Sequence, residues 1–394
     1  MKASPPLPNL FTGWRLVAAI AIIAAVSMAG CGPTNGLPEL TGEYAYVANT
    51  ADGSISVFSI NTTTGALTLI ENVSVMPGFR VFGLAMHWSN EFLYATIDDA
   101  SEVEEFDIGD GSYSGQIFLH NGPYPADNGP RALALNPAGT YLYATNNGGI
   151  AQDVSQYTVN QSTGALTANG TTPAGSRPFG IAVDPGGHCV YVANTGDPSL
   201  SVYGITGTGT LSPGKTISIG TPSEGPGPQM VAVQDNPGKD SVGQTVYVTD
   251  NNLGVVHQLS FSGLRTIEPT CNPAPAVDIS AEGAAFGIAL HPNGMFLYTG
   301  NSSSNSISIF YVNSTGQLTF LALEKTNLND VLSIAIDLSG KFLYAANYGD
   351  STVAEFAIDQ LNGLLIPIGK VAPKTRPGPP GRLQSLPPQS NACW

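Results

Sequence analysis

Residues 296–319 read FLYTGNSSSNSISIFYVNSTGQLT. Ser306, Ile307, Ser308, Ile309 and Phe310 alternate polar and apolar, the period-two pattern of a half-buried strand. A Gly/Asn/Ser turn separates that run from an earlier one around Tyr298. A second turn, at Thr315-Gly316, leads into a third run.

The unit recurs. Its tyrosine run appears as YAYVAN, FLYATI, YLYATN, CVYVAN, TVYVTD, FLYTGN and FLYAAN, with the marker residues Tyr46, Tyr94, Tyr143, Tyr191, Tyr247, Tyr298 and Tyr344 spaced 46 to 56 apart. A strand-only repeat near that length predicts propeller blades of four strands. A β-solenoid would use shorter rungs. Ahead of most tyrosine runs lies a small apolar run, in three blades ending in Asp/Asn/His-Pro-x-Gly, as in FGIAVDPGGHCVYVAN and RALALNPAGTYLYATN. The proline and glycine suit a tight hairpin. The small run, strand A, is expected innermost, where the ring is most crowded. The tyrosine run is strand B, the SVF-type run strand C, and the run after Thr-Gly strand D.

The fold class is therefore all-β, a seven-bladed propeller of four-stranded antiparallel blades occupying residues 43–390. Six strand A copies precede blades 2 to 7, at 82–86, 132–135, 180–183, 230–233, 287–290 and 333–336. Residues 37–43 offer none for blade 1. The C-terminal GRLQSLP (381–387) has the length and apolar placement of PRALALN (130–136). It is expected to complete blade 1, so that strands from both chain ends close the ring and remove its exposed edges.

The N-terminus reads differently. Lys2 and Arg15 precede the apolar run LVAAIAIIAAV (16–26), followed by Ser27, Met28, Ala29, Gly30 and Cys31. A positive start, a short apolar run and small residues before a cut describe an export signal over residues 1–30. Cys31 after Ala29-Gly30 resembles the lipidated cysteine of bacterial lipoproteins. Residues 31–42 then form a linker, and the body is expected in the cell envelope, held to the membrane by lipid on Cys31. Residues 1–30 hold two cations and no acid, so the formal charge of −15 becomes −17 without them. Such acidity argues against nucleic-acid partners. With Cys189 and Cys393 assigned to A–B turns of opposite blades and Cys271 to the other face, no intrachain disulfide is expected.

With seven copies of [FY]-L-Y-[AV]-x-N, S-[IV]-x-[VI]-[FY] and T-G-x-L-T, the body resembles the lactonase-like seven-bladed propellers. These include bacterial 6-phosphogluconolactonases, fungal carboxymuconate-cyclising enzymes and related YVTN-repeat surface proteins. The resemblance implies polar motifs at the ring face. Pro226-Gly227-Pro228-Gln229 stands where it would place Pro-His-x-His. Gly129-Pro130-Arg131-Ala132 keeps the arginine of Gly-Pro-Arg-His and lacks its histidine. Asp250-Asn251-Asn252-Leu253-Gly254 interrupts the Asp-Leu-Gly that would follow.

Four of seven arginines, Arg80, Arg131, Arg177 and Arg382, lie at or just before a strand A, on a rim they would share with Asn49, Asn146 and Asn194. Arginine's fork suits carboxylates and phosphates, so this arc is either an anion-binding central mouth or a set of loop-fixing contacts. His87, His188 and His291 fall in A–B turns and His257 reads as packing. His120 is the one histidine expected on the arginine face. The acidic run 98–105 reads as a solvated B–C loop rather than a calcium site. No metal or cofactor set is apparent. Two functions follow. One is a binding protein for a carbohydrate, peptide, protein or anionic small molecule. The alternative is a lactone hydrolase using the arginines, with Asp250 or Glu282 as base and His120 a further candidate.

Overall fold

The computed structural model describes residues 23–28, 42–109, 113–149, 152–220, 227–236, 243–262, 276–325 and 327–373. Seven antiparallel sheets follow one another along the chain, each in the order A-B-C-D. Blade 6, for example, comprises Ala285–Leu290, Phe296–Asn301, Ser306–Val312 and Leu318–Glu324. The expected all-β propeller with four-stranded blades is what the chain forms.

The core is divided into sectors between successive blades. The marker tyrosines fill these sectors and are fully buried. Burial alone would orphan their hydroxyls, and each finds an acceptor in the following blade. Tyr46, Tyr94, Tyr143, Tyr247, Tyr298 and Tyr344 donate to the carbonyls of Gly115, Gly164, Gly209, Gly316, Gly363 and Gly65 at 2.6–2.9 Å. Tyr191 instead meets Gln244 Oε1 at 3.2 Å. The repeated Thr-Gly turn is thus the socket for the preceding blade's tyrosine.

Strand A is small for the reason its position suggested. A Cβ on Gly83, Gly180 or Gly287 would sit 2.2–3.0 Å from the backbone of the next blade's strand A, closer than packed atoms tolerate. Each described strand A of blades 2 to 7 also breaks register with strand B after its first residue. This bulge turns the second residue toward the axis. Hydroxyls on strand B brace it: Thr96, Thr145 and Thr249 accept the N–H of Gly83, Ala132 and Met230, and donate to the carbonyls of Arg131, Phe179 and Phe286 in the next blade.

In blade 1 the place expected for 381–387 is taken by Ile23–Met28, paired antiparallel with Gly42–Asn49. IAAVSM meets the same demand for a short, small, apolar strand, and it lies inside the run read as an export signal. Residues 381–387, and with them Arg382, lie outside the described residues.

Three further expectations need correction. Cys189 is disulfide-bonded, with a partner outside the described residues. Cys271 belongs to the connection between Val255–Ser262 and Val277–Ser280. Cys271, like Cys31 and Cys393, lies outside the described residues. The acidic run is no solvated loop either. Glu102–Ile108 is strand C of blade 2, with Glu104 and Glu105 buried, and Asp98 is buried in the turn before it. His257, read as packing, lies between two carboxylates.

Candidate functional site

The bulged second residues of strand A form a collar at the end of the ring where strand B finishes. Among the described residues they are Phe82, Arg131, Phe179, Gln229, Phe286 and Leu332. Phe179 and Phe286 belong to blades 4 and 6, which are not neighbours, yet their rings meet edge to face with centroids 5.6 Å apart. They therefore meet inside the ring, over blade 5.

Arg131 is the one charged residue of this described collar. Its guanidinium lies 4.0 Å from the centroid of Phe82 and 3.3 Å from Asp98 Oδ2. Asp98 also meets Arg80 at 2.5 Å, and Arg80 takes Asp99 in a forked contact with distances of 2.6–3.2 Å. Burial pushes the Asp98 carboxyl up, with Arg131 and Arg80 pulling it back. Burial likewise lowers Arg131, opposed chiefly by Asp98. The result is a cation fixed by an aromatic face and a carboxylate, with Nε buried and unpartnered. A guanidinium so held is preorganised for an acceptor entering the mouth.

The signature of the family described as "Lactonase, 7-bladed beta-propeller" matches residues 20–224, 121–257 and 240–378. The chain belongs to this family. A 6-phosphogluconolactonase of Serratia proteamaculans is 25% identical over 334 residues, 83% of this chain and 96% of the relative. One from Yersinia enterocolitica is 24% identical over 336 residues, with the same coverage. Among solved structures, a putative 6-phosphogluconolactonase of Bacteroides fragilis superposes with TM-score 0.65 at 20% identity, covering 84% of this chain and 95% of its own. A periplasmic gluconolactonase of Pseudomonas aeruginosa gives 0.66 at 16%, covering 83% and 96%. These structural likenesses speak for the fold.

The arginines expected to form one arc are used in different ways by this lactonase-family propeller. Arg131 is in the collar, whereas Arg80 and Arg177 each precede a strand A. Their carbonyls accept the N–H of Asp98 and of Thr195 just beyond strand B, both at 2.9 Å. Arg177 holds a left-handed backbone (φ 52°), and its N–H donates to Gln152 Oε1 beside a cleft of about 470 Å³. Asn49, Asn146 and Asn194 are buried. Their amides donate to Ser54 and Ser56, to Asp153 and Ser155, and to Ser199 and Ser201. They tie strand B to strand C and do not line the rim.

The candidate bases do not gather at the collar. Glu282 is exposed and held at φ 57°, with Ser280 as its hydrogen-bond partner. His120 pairs with Asp107 beside Glu105 at the outer edge of blade 2, not on the arginine face. Asp250 occupies the asparagine position of blade 5. It faces His257 Nε2 at 3.2 Å, and His257 Nδ1 faces Asp278 at 2.7 Å. Burial of His257 lowers its pKa, but the two carboxylates outweigh that and the net direction is upward.

The sequence reading missed the collar phenylalanines, Asp98, and the Asp250–His257 pair. The last had a visible signal. Asparagine is followed seven residues later by serine in three blades, Asn49 and Ser56, Asn194 and Ser201, Asn301 and Ser308, and nine residues later in a fourth, Asn146 and Ser155. Blade 5 alone substitutes Asp and His.

Proposed function

We propose that this protein is an exported lactone hydrolase whose substrate enters the collar with its carbonyl or an anionic group against Arg131. The observation that carries the reading is Arg131 itself, a guanidinium at the axial mouth backed by Asp98 and stacked on Phe82. Opening a lactone adds water across the acyl C–O bond and places negative charge on the carbonyl oxygen in the transition state. A preorganised cation stabilises that charge without reorganising. Full-length similarity to proteins named 6-phosphogluconolactonase supports the same chemistry. The phenylalanines favour a ring-shaped substrate presenting one apolar face.

The test is turnover of a panel of sugar-acid lactones, with and without phosphate, followed as acid release. Arg131→Ala should lower kcat/KM by about 10²–10³-fold. No turnover of any lactone, or full activity in the variant, would overturn the reading. One observation favours a non-catalytic binding protein instead: Gln229 occupies the collar position where the family resemblance implied a histidine. On that reading Arg131→Ala weakens ligand binding in a protein that turns nothing over.

Lipid attachment at Cys31 is part of the proposal. Cys31 lies eleven residues before Gly42, which begins its strand at the end of the ring opposite the collar. An anchor there leaves the mouth facing away from the bilayer. The disulfide at Cys189 suits an oxidising compartment. Cleavage before Cys31 would remove Ile23–Met28, and 381–387 is the segment proposed to take its place.

A further inference from the structure

We propose that Glu105, Asp107 and His120 form a binding site for a divalent transition-metal ion, zinc being the best-matched. Each offers a ligand atom, and these atoms lie within 4.8 Å of one another. A tetrahedral ion with ligands at about 2.1 Å keeps them about 3.4 Å apart, so a small inward movement closes the site. One imidazole with two carboxylates is a donor set that zinc accepts, with room for a water or hydroxyl as fourth ligand.

Among the described residues this set occurs in blade 2 alone. Facing the marker tyrosine on strand C stand Glu105, Gln156, Gln258 and Glu355 in blades 2, 3, 5 and 7. Three of them do the same job. Gln156, Gln258 and Glu355 accept the backbone N–H of Leu211, Leu318 and Leu67 in the next blade at 2.7–3.0 Å. Glu105 is diverted from it. Tyr124 donates to its Oε2 at 2.7 Å, the Asn121 amide stands beside the carboxylate, and Oε1 is fully buried without a well-formed hydrogen bond. A buried carboxylate oxygen without a partner is costly, and a cation is the natural remedy.

The other two ligands approach from the same side. Strand D of blade 2 is broken into Ile117–Leu119 and Tyr124–Pro125, and the break sets His120 opposite Glu105, with its N–H on the Glu105 carbonyl at 3.0 Å. Asp107, two residues along strand C, contacts the His120 ring. Asp107 and His120 are each about one-fifth exposed, so an ion has a way in. The ion would fasten the broken outer strand to strand C.

The test uses the tag-free mature chain, stripped with a chelator and titrated with zinc chloride by calorimetry, alongside Asp107→Asn and His120→Ala. One zinc per chain is expected, with binding weakened by about a hundredfold or more in either variant. Zinc should raise the thermal midpoint of the wild-type chain and leave that of Asp107→Asn in place. Cobalt substitution of the wild-type protein gives a second readout that needs no variant: intense visible bands of a four-coordinate nitrogen/oxygen site. Absence of stoichiometric binding, octahedral cobalt bands, or binding unchanged in both variants would overturn the proposal. The last result would assign the ion to another place on the chain.

Discussion

The hydroxyl of Tyr344 donates to the carbonyl of Gly65 at 2.9 Å, joining residues 279 apart in sequence across the seam between blades 7 and 1. Burial raises the Tyr344 pKa, so the phenol stays neutral and able to donate. The same bond recurs inside the ring, but at the seam no peptide connection backs it up through the described residues. Glu355 reinforces it by accepting the Leu67 N–H at 2.9 Å. Tyr344→Phe keeps the packing and leaves the Gly65 carbonyl unpaired, at a cost of about 1–3 kcal/mol. Urea unfolding should show that loss. Tyr298→Phe, one blade away, should cost no more than Tyr344→Phe. Equal stability of Tyr344→Phe and wild type would mean that the seam is closed by other contacts.

Blade 5 offers a reversible exchange. Asp250 and His257 occupy the places that Asn301 and Ser308 hold in blade 6, where the amide donates to the hydroxyl at 2.7 Å. His257→Ser alone leaves Asp250 buried without its cation, a loss of about 3 kcal/mol or more. Adding Asp250→Asn restores the arrangement of the neighbouring blade and should recover most of that loss. The coupling is read from a double-mutant cycle in chemical denaturation. Additive costs would show that the two side chains do not act as a pair.

Stability should fall as pH rises from about 4.5. Glu104 and Glu105 are both raised to about 7, in each case chiefly by burial. Between the unfolded value and 7 the folded state binds more protons than the unfolded state, so unfolding becomes easier with increasing pH in that window. His257 acts in the same direction at higher pH. Its raised folded pKa gives stability that is complete below about 6.5 and is lost as pH rises through the folded value. Glu104→Gln should flatten the lower part of the profile and stabilise the protein at pH 8 by about 1–2 kcal/mol. Thermal midpoints measured from pH 4.5 to 8.5 decide it. A rise across that range would contradict the assignment.

The repeat was legible because each blade meets the same constraints. A tyrosine must fill the sector, a Thr-Gly turn must receive its hydroxyl, and a small strand must fit at the axis. The site was less legible because it depends on bulges. Which residue of strand A reaches the axis is set by a register break between Pro130 and Leu133 and its counterparts, and no period-two pattern reveals it. Arg80, Arg131 and Arg177 therefore looked equivalent, while only Arg131 stands at the bulged second position of a strand A. Asp98 was hidden for a related reason: it stands in an acidic run that reads as solvent-facing until the hairpin places it under two guanidiniums. The disulfide at Cys189 was not legible because the other three cysteines fall outside the repeated strands.

The closing of blade 1 gives the last prediction. In the full chain Ile23–Met28 pairs with Gly42–Asn49. If the mature protein begins at Cys31, that strand is gone, and strand B of blade 1 is left with an open ladder at the most crowded part of the ring. An unpaired inner edge is both unstable and prone to aggregate. The segment 381–387 carries apolar residues in the same places as 130–136. The chain leaves strand D of blade 7 at Val371, ten residues before it, enough for a D–A connection. Deleting residues 379–394 should therefore lower the thermal midpoint of a chain starting at Cys31 by several degrees or more, and should matter little to a chain that keeps residues 1–30. An equal effect on both chains would separate the C-terminal segment from the place beside Gly42–Asn49. No effect on the shorter chain would leave that ring closed by neither end.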